Sequence, residues 1–439
     1  MKPRAYFPTQ RQPVWFAVSA DDLLLHFTAD QLNAKQRVDD KENKDLIAML
    51  QVGTLFLGKP GDRTSLYEAF SDEPWRSSLE RYHRNFQKMG LKPISLADVH
   101  FFPREDFYRG IRNLRPDELV TVYLVSGSNR QLHDSDTVLE VSRRVNSKMY
   151  LASKAAEWSI PVPESCVITK HALSGAQGRR DAADFLRRHG PQVMLKVMGL
   201  AGSRNVTVIN SLEEAITWVA DLRDEEPVLL QQKLAFDDWV EMTVDLFVSD
   251  ADIHIDNIRQ ILFANGLWVG NYIRATQKLG PAQRAALLRV GEFVRSEGYT
   301  APEGLNCGLD FFVPRSGTDS VIVTEINARF TGGLMPAEVV RRLKLGERDT
   351  VVCFATVSRD RLDDYLAFNE RYLFGNRNAA FATLPLGFSP FTTQIDGREV
   401  IFVWQMIWGD FDAAVAAKNR ELGAAELAVL NLINLESVR

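Results

Sequence analysis

The sequence predicts an α/β fold. Strand-like apolar runs alternate with helix-length amphipathic runs along most of the chain, and no repeat of solenoid length interrupts them. At 439 residues there is room for about three domains of roughly 150 residues each. A composition of 45% hydrophobic and 25% charged residues is that of a soluble globular chain, not a disordered or fibrous one. The net charge of -5 argues against a protein that coats nucleic acid. No run approaches the ~18 apolar residues of a membrane helix, and Met1-Lys2-Pro3-Arg4-Ala5-Tyr6 lacks the apolar core of a signal peptide. A cytoplasmic protein without membrane or nucleic-acid partners is therefore expected. Cys166, Cys307 and Cys353 are scattered and odd in number, which argues against a disulfide framework or a cysteine metal cluster.

The first third reads as one α/β unit. Val14 to Val18 and Thr54 to Gly58 are predicted strands, Arg76 to Met89 a helix ended by Gly90, and Leu119 to Val125 a buried strand. Asp39 to Asp45 reads as a solvated loop or helix start. A helix is predicted from about Thr137 to Trp158, ended by Ile160-Pro161-Val162-Pro163 because proline disfavours helix in the residue before it. Cys166 to Thr169, Val193 to Val197, Val206 to Ile209 and Val228 to Gln231 follow as strands, with helices over Arg179 to His189 and from Ser211, where Ser-x-x-Glu reads as a capping box. Strands then dominate: Val240 to Val248, Ile253 to Ile261, Gly308 to Val313 and Val321 to Ile326. A helix from Pro281 to Glu297 interrupts them. Thr331-Gly332-Gly333 is a turn before a helix near Ala337 to Leu343. The segment beyond Gly346 offers one strong strand, Val400 to Met406, and a helix from Phe411 to Leu422.

Chemistry concentrates between Asp310 and Arg329. Strand side chains alternate faces, so Glu325, Asn327 and Arg329 point the same way, and a hairpin would bring Asp310 beside them. Two carboxylates and an amide oxygen make a hard-oxygen set of the kind magnesium prefers, completed by phosphate and water. The plainer alternative is a hairpin with a wet polar face. Arg329 could pair with phosphoryl oxygen or a substrate carboxylate, or form a salt bridge to Glu325 or Glu338. Lys196 lies inside an apolar strand and must find a partner or solvent. The glycine-containing loop after it, Met198 to Asn205, suits phosphate contact. Gln231-Gln232-Lys233-Leu234 and Glu241 could present backbone groups to a purine and a carboxylate to ribose. Arg274 and Arg259 are further candidates. Arg274 follows Asn265 to Tyr272, which reads as an irregular aromatic stretch able to cover a substrate.

The order and spacing of these features resemble the ATP-grasp superfamily of carboxylate–amine ligases, over roughly Val145 to Leu343. The resemblance implies a pre-ATP-grasp α/β domain over 1–145, a small lobe with nucleotide-binding elements over 146–235, a large lobe with the metal site over 236–345, and a C-terminal extension over 346–439 packing on the core. It implies that Lys148 and Lys196 contact phosphate, with Gly202 and Ser203 in the loop that follows Lys196. Gln232, Lys233 and Leu234 would bracket adenine, although the family usually has glutamate where Gln232 stands. Glu241 would bind ribose, and Asp310, Glu325 and Asn327 would hold one or two Mg2+, with Mn2+ as a substitute. Arg329, Arg274 and Lys196 would be catalytic. The implied cofactors are ATP and Mg2+, and the partners a small-molecule carboxylate and an amine; the sequence does not decide the oligomeric state, for which a homodimer is only the commonest outcome. Glu325-Ile326-Asn327-Ala328-Arg329-Phe330-Thr331-Gly332-Gly333 looks most like peptide and amino-acid ligases of secondary metabolism, such as the pheganomycin-type peptide ligase. The implied reaction is amide or peptide bond formation through an acylphosphate, releasing ADP and phosphate. Other ATP-grasp chemistry, a kinase or carboxylase, is the first alternative, and a non-catalytic ATP-binding sensor the second.

Overall fold

A computed structural model describes residues 13–19, 22–114, 119–123, 129–132, 137–190, 192–199, 205–373 and 379–435. They form three sheets. In the first, β1 (Trp15–Ser19), β2 (Arg63–Tyr67), β3 (Val99–Phe102) and β4 (Leu119–Tyr123) run parallel in the order β3-β2-β1-β4. Leu124 and Val125, expected to extend the last strand, lie outside the described residues.

The crossover from β1 to β2 contains the helix Ala34–Leu57. Asn33 caps it: Gln36 N donates to Asn33 Oδ1 at 2.8 Å, and Gln36 Oε1 accepts from Asn33 N at 3.0 Å. Of the two readings of Asp39 to Asp45, loop or helix start, the helical one holds; one expectation is corrected, since Thr54 to Leu57 is that helix's last turn rather than a strand, with Gly58 as its C-cap. From Ile47 to Leu57 every residue is buried, so the segment is almost wholly apolar and carries no 3.6-residue stripe to distinguish it from a strand. Arg342 caps its C-terminal end, donating to Phe56 O and Leu57 O at 2.6 Å each.

The second sheet is antiparallel: β5 (Ser165–Thr169), β6 (Val193–Val197), β7 (Val206–Ile209) and β8 (Pro227–Gln232), in the order β5-β8-β6-β7. Helices Ala176–His189 and Leu212–Trp218 back it through Phe185, Ala182 and Ala215. The single helix expected before it is two, Thr137–Val145 and Lys148–Lys154. Ser147 restarts the chain by accepting from Tyr150 N at 3.2 Å, an N-cap that competes with helix continuation.

The third sheet has eight antiparallel strands. They are β9 (Trp239–Val248), β10 (Ile253–Ala264), β11 (Leu267–Ile273), β12 (Leu305–Pro314), β13 (Ile322–Asn327), β14 (Thr350–Ser358), β15 (Phe381–Ile395) and β16 (Arg398–Gly409), in the order β13-β12-β9-β10-β11-β14-β16-β15. Asn265 to Tyr272, expected to be irregular, is a hairpin turn and strand. Asn265 (φ 52°) and Gly266 (φ 75°) form a two-residue turn whose positive φ values match strand twist. On one face of β9, Met242, Val244, Leu246 and Val248 pack on the helix Pro281–Ser296. The strands β14, β15 and β16 of the last third continue this sheet, since β14 pairs with β11 (Tyr272 opposite Val351). One apolar core joins β1 and the helix Ala34–Leu57 to β14, β15 and β16. Tyr82 donates to Gly387 O (3.2 Å) and Ser389 to Asp45 O (2.6 Å) across that junction.

Candidate active site

The other face of β9 carries Glu241, Thr243 and Asp245 on alternate residues. Register aligns them with three neighbouring strands. One row across the sheet is Arg259, Thr243, Asp310 and Glu325; the next is Asn257, Asp245, Gly308 and Asn327. The hairpin of β12 and β13 does place Asp310 directly opposite Glu325. Asn327 Nδ2 donates to Asp310 Oδ2 at 3.0 Å, and Arg329 Nη2 to Asn327 Oδ1 at 2.8 Å. Lys148, at the start of its helix, reaches Glu325 Oε1 at 2.6 Å.

The acids here are crowded and desolvated. Burial, then the charge of Asp310, pushes the Glu241 carboxyl up to about 8. Burial, then Glu325, pushes Asp310 up to about 6. Burial would also raise Glu325, but Lys148, Lys196 and Arg329 outweigh it and hold this carboxyl below its usual range. Lys196 is buried and held down to about 8, by burial first and then by Lys148, while Glu325, Glu241 and Asp310 oppose that shift. Lys196, on the second sheet, is thus near enough to the acids of the third to feel their charge.

Among the described residues, no three or more His, Cys, Asp or Glu side chains converge in metal-binding geometry. The arrangement fits a hard divalent cation differently, through two raised or crowded carboxylates and one amide oxygen. Asn327 Oδ1 accepts from Arg329 but retains a second lone pair. Asp310, Glu325 and Asn327 would supply part of a shell that phosphate and water complete.

Sequence reasoning passed over the network beneath this set. Asp245 is fully buried and accepts from Arg259 Nη1 (2.5 Å), Thr331 Oγ1 (2.7 Å), Asn306 Nδ2 (3.0 Å) and Asn257 Nδ2 (3.0 Å). Burial opposes ionisation, but Arg259 and these donors hold its carboxyl below the usual range. Asn306 also donates to Arg329 O at 2.7 Å, tying the network to the segment that presents Arg329. The signal was present: Asp245 shares the alternation of Glu241 and Thr243 within an otherwise apolar strand. Arg259 is 2% exposed, and its Nε has no acceptor among the described residues. A Cβ on Gly333 would lie 2.5 Å from that Nε, so only glycine allows the guanidinium to rest there.

The expected nucleotide-binding elements are distributed as follows. Gln232 N donates to Glu164 O (2.9 Å), Lys233 Nζ to Gln192 Oε1 (2.5 Å), and Leu234 is buried just past β8. Gly202 and Ser203 lie outside the described residues. A cavity of about 470 Å³ includes Glu241, Arg259, Asp310, Glu325, Asn327 and Arg329 in its lining, together with aromatic and aliphatic residues of β10, β11, β14 and β16. Lys148, Asn327 and Arg329 also line a smaller adjoining cleft with Val197, Met198 and Gly199. Arg274 follows β11, half-buried, and is not among the lining residues of either.

No protein-family description matches the sequence, and no curated protein matches it. Solved structures do match. N5-carboxyaminoimidazole synthetase from Staphylococcus aureus, complexed with ADP, aligns at a TM-score of 0.54 and 11% identity over 95% of this chain and 98% of its own. Phosphoribosylamine–glycine ligase from Thermotoga maritima aligns at 0.51 and 13% over 96% and 97%. A biotin carboxylase–ATP complex from Campylobacter jejuni aligns at 0.50 and 13% over 81% and 89%. At these identities the likeness establishes the fold alone, and that fold is the ATP-grasp fold.

Proposed function

We propose that the chain is an ATP-dependent carboxylate–amine ligase acting on amino acids or small peptide-like substrates. The observation that carries this reading is the pairing of Lys148 with Glu325 at 2.6 Å in a cleft that Asn327 and Arg329 also line, with Asp310 hydrogen-bonded to Asn327 and Lys196 near enough to feel the acids' charge. The ATP-grasp fold supports it, as does the fact that the similar structures include a synthetase and a ligase.

In the proposed chemistry a substrate carboxylate oxygen attacks the γ-phosphorus of ATP. The bond to the β-phosphate oxygen breaks, giving an acylphosphate and ADP. An amine nitrogen then attacks the acyl carbon, the bond to phosphate breaks, and the nitrogen loses a proton to leave an amide. Phosphoryl transfer of this kind is accelerated mainly by positioning and charge. Lys148 and Lys196 hold phosphate oxygens. Gln232, Lys233 and Leu234 border adenine, and Glu241 accepts from ribose hydroxyls. Asp310, Glu325 and Asn327 would hold Mg2+, which when bound neutralises charge on the transferring phosphoryl group. Arg329, fixed by Asn327, donates to the acyl oxygens.

The test is product analysis. The protein is incubated with Mg2+-ATP, pooled amino acids and hydroxylamine as surrogate amine. ADP, phosphate and an amino-acid hydroxamate are expected. AMP with pyrophosphate would overturn the mechanism, and a stable phosphorylated product without hydroxamate would indicate a kinase.

A further inference from the structure

The site face of the large sheet changes character from one side to the other. On β9, β12 and β13 it is charged. Beyond Arg259 on β10 it becomes apolar: Ile261 and Phe263 follow Arg259 on alternate residues, Val269 faces the same cavity from β11, and Phe354 and Phe402 face it from β14 and β16. Trp268 closes the wall with its ring edge-on to Phe354, centroids 4.8 Å apart. These six side chains are each only partly buried, although buried apolar packing is the default for aromatic residues in a sheet. The helix Ala34–Leu57 roofs the space with Leu46, Ile47 and Leu50 without filling it. The result is one cavity with a cationic and acidic end and a broad apolar end.

We infer that the apolar end is a specificity subsite for the large apolar side chain of an amino-acid substrate. The inference rests on the ligase reading for the word substrate, but its physical basis is the cavity itself. The whole cavity, charged end included, measures about 470 Å³, within the range of small-molecule sites. No carboxylate or ammonium lines the apolar end, so an aspartate or lysine side chain entering it would be desolvated without a partner. Discrimination by such a wall is of the order of 10–200-fold per misfit group.

Two arms test this separately from the ligase reading. Equilibrium dialysis with radiolabelled phenylalanine, leucine, serine, aspartate and lysine, in the presence of Mg2+ and a non-hydrolysable ATP analogue, reads the subsite. ADP release with the same amino acids and hydroxylamine reads the chemistry. Phenylalanine and leucine are expected to bind at least tenfold more tightly than the polar three. Val269→Trp, which fills the cavity, should weaken phenylalanine tenfold or more with ATP-analogue affinity unchanged. Phe402→Ala, which removes part of the apolar wall, should narrow the preference for phenylalanine and leucine over the polar three. Apolar binding without ADP release would keep the subsite and overturn ligation. Equal or stronger binding or turnover of the polar amino acids would overturn the subsite and leave ligation standing. Absence of binding by every amino acid would overturn the subsite.

Discussion

Replacing Glu241 by glutamine should stabilise the ligand-free protein, and the size of the effect should depend on pH. Burial and Asp310 raise this carboxyl from 4.5 to about 8. The sign follows from linkage. Because the folded-state value is the higher one, the folded protein keeps a proton that the unfolded chain releases between those two values, so stability is fully present below pH 4.5 and falls as pH rises toward 8. Each pH unit in that window costs about 1.4 kcal/mol, which accumulates to roughly 3 kcal/mol at pH 7. Glutamine keeps the shape and cannot ionise. Urea unfolding of both proteins at pH 5, 6, 7 and 8 should therefore show a stability difference that widens steadily in favour of Glu241→Gln. Lys196 does not confuse this window: its folded-state value of about 8 lies below its ordinary 10.5, so its slope belongs above pH 8. Carboxylates remote from Glu241 contribute to both proteins alike and cancel in the difference, whereas Asp310, at about 6, interacts with Glu241 and adds its own curvature near that pH. A difference between the two proteins that stays constant from pH 5 to pH 8 would refute the reasoning, because the carboxyl would then titrate alike in both states. With ATP present the same substitution should raise the ATP KM, if Glu241 meets ribose as proposed.

Glu325→Ala should abolish turnover with the circular dichroism spectrum intact; wild-type activity at equal Mg2+ would remove Glu325 from the metal set. Affinity for ATP should fall as pH rises past about 8, where Lys196 loses its charge, and Lys196→Arg should flatten that fall; identical profiles would return Lys196 to a structural role. Asp245→Asn leaves Arg259 buried without its counter-charge and should cost about 3–5 kcal/mol in unfolding free energy. A loss under 1 kcal/mol would show that Arg259 finds water or another acceptor. Gly387→Val drives a side chain into the Met49 carbonyl of the helix Ala34–Leu57 and should cost about 1–3 kcal/mol, with earlier proteolysis in the first 114 residues; unchanged proteolysis would mean the junction yields elsewhere.

What the sequence disclosed, and what it withheld, divides by distance along the chain. Asp310, Glu325, Asn327 and Arg329 lie within one hairpin, so period-two alternation and a short turn were enough to bring them together. Lys196 announced itself as a charge in an apolar strand. The apolar wall of the cavity was illegible because its parts come from β10, β11, β14 and β16, and each alone is an ordinary apolar strand residue. β15 was missed for a different reason. Pro385, Gly387 and Pro390 argue against a strand, yet β15 is the edge strand of its sheet and absorbs them with two register shifts. The Asn265-Gly266 turn carried a hairpin signal, but aromatic residues on both sides were weighed as a substrate cover instead.

The same comparison bears on how the molecule is divided. Sequence reading placed a boundary after residue 345, with the remainder as an extension. In the structure β14 hydrogen-bonds to β11, so the 346–439 segment extends the sheet that holds Asp310 and Glu325. The first domain is bound to that segment by a shared apolar core and by the Tyr82 and Ser389 hydrogen bonds. The helix Ala34–Leu57 consequently has two jobs. One side supports the parallel sheet, while Asn43, Leu46, Ile47 and Leu50 reach the cavity. A substitution at Leu50 or Phe354 would thus alter the cavity from segments that carry none of the residues proposed to bind ATP. The ATP-grasp core can keep its charged end unchanged while its neighbours reshape the apolar end. Changes of substrate among chains of this architecture should therefore concentrate in the helix roof and in β14 and β16, where no residue of the acid set is disturbed.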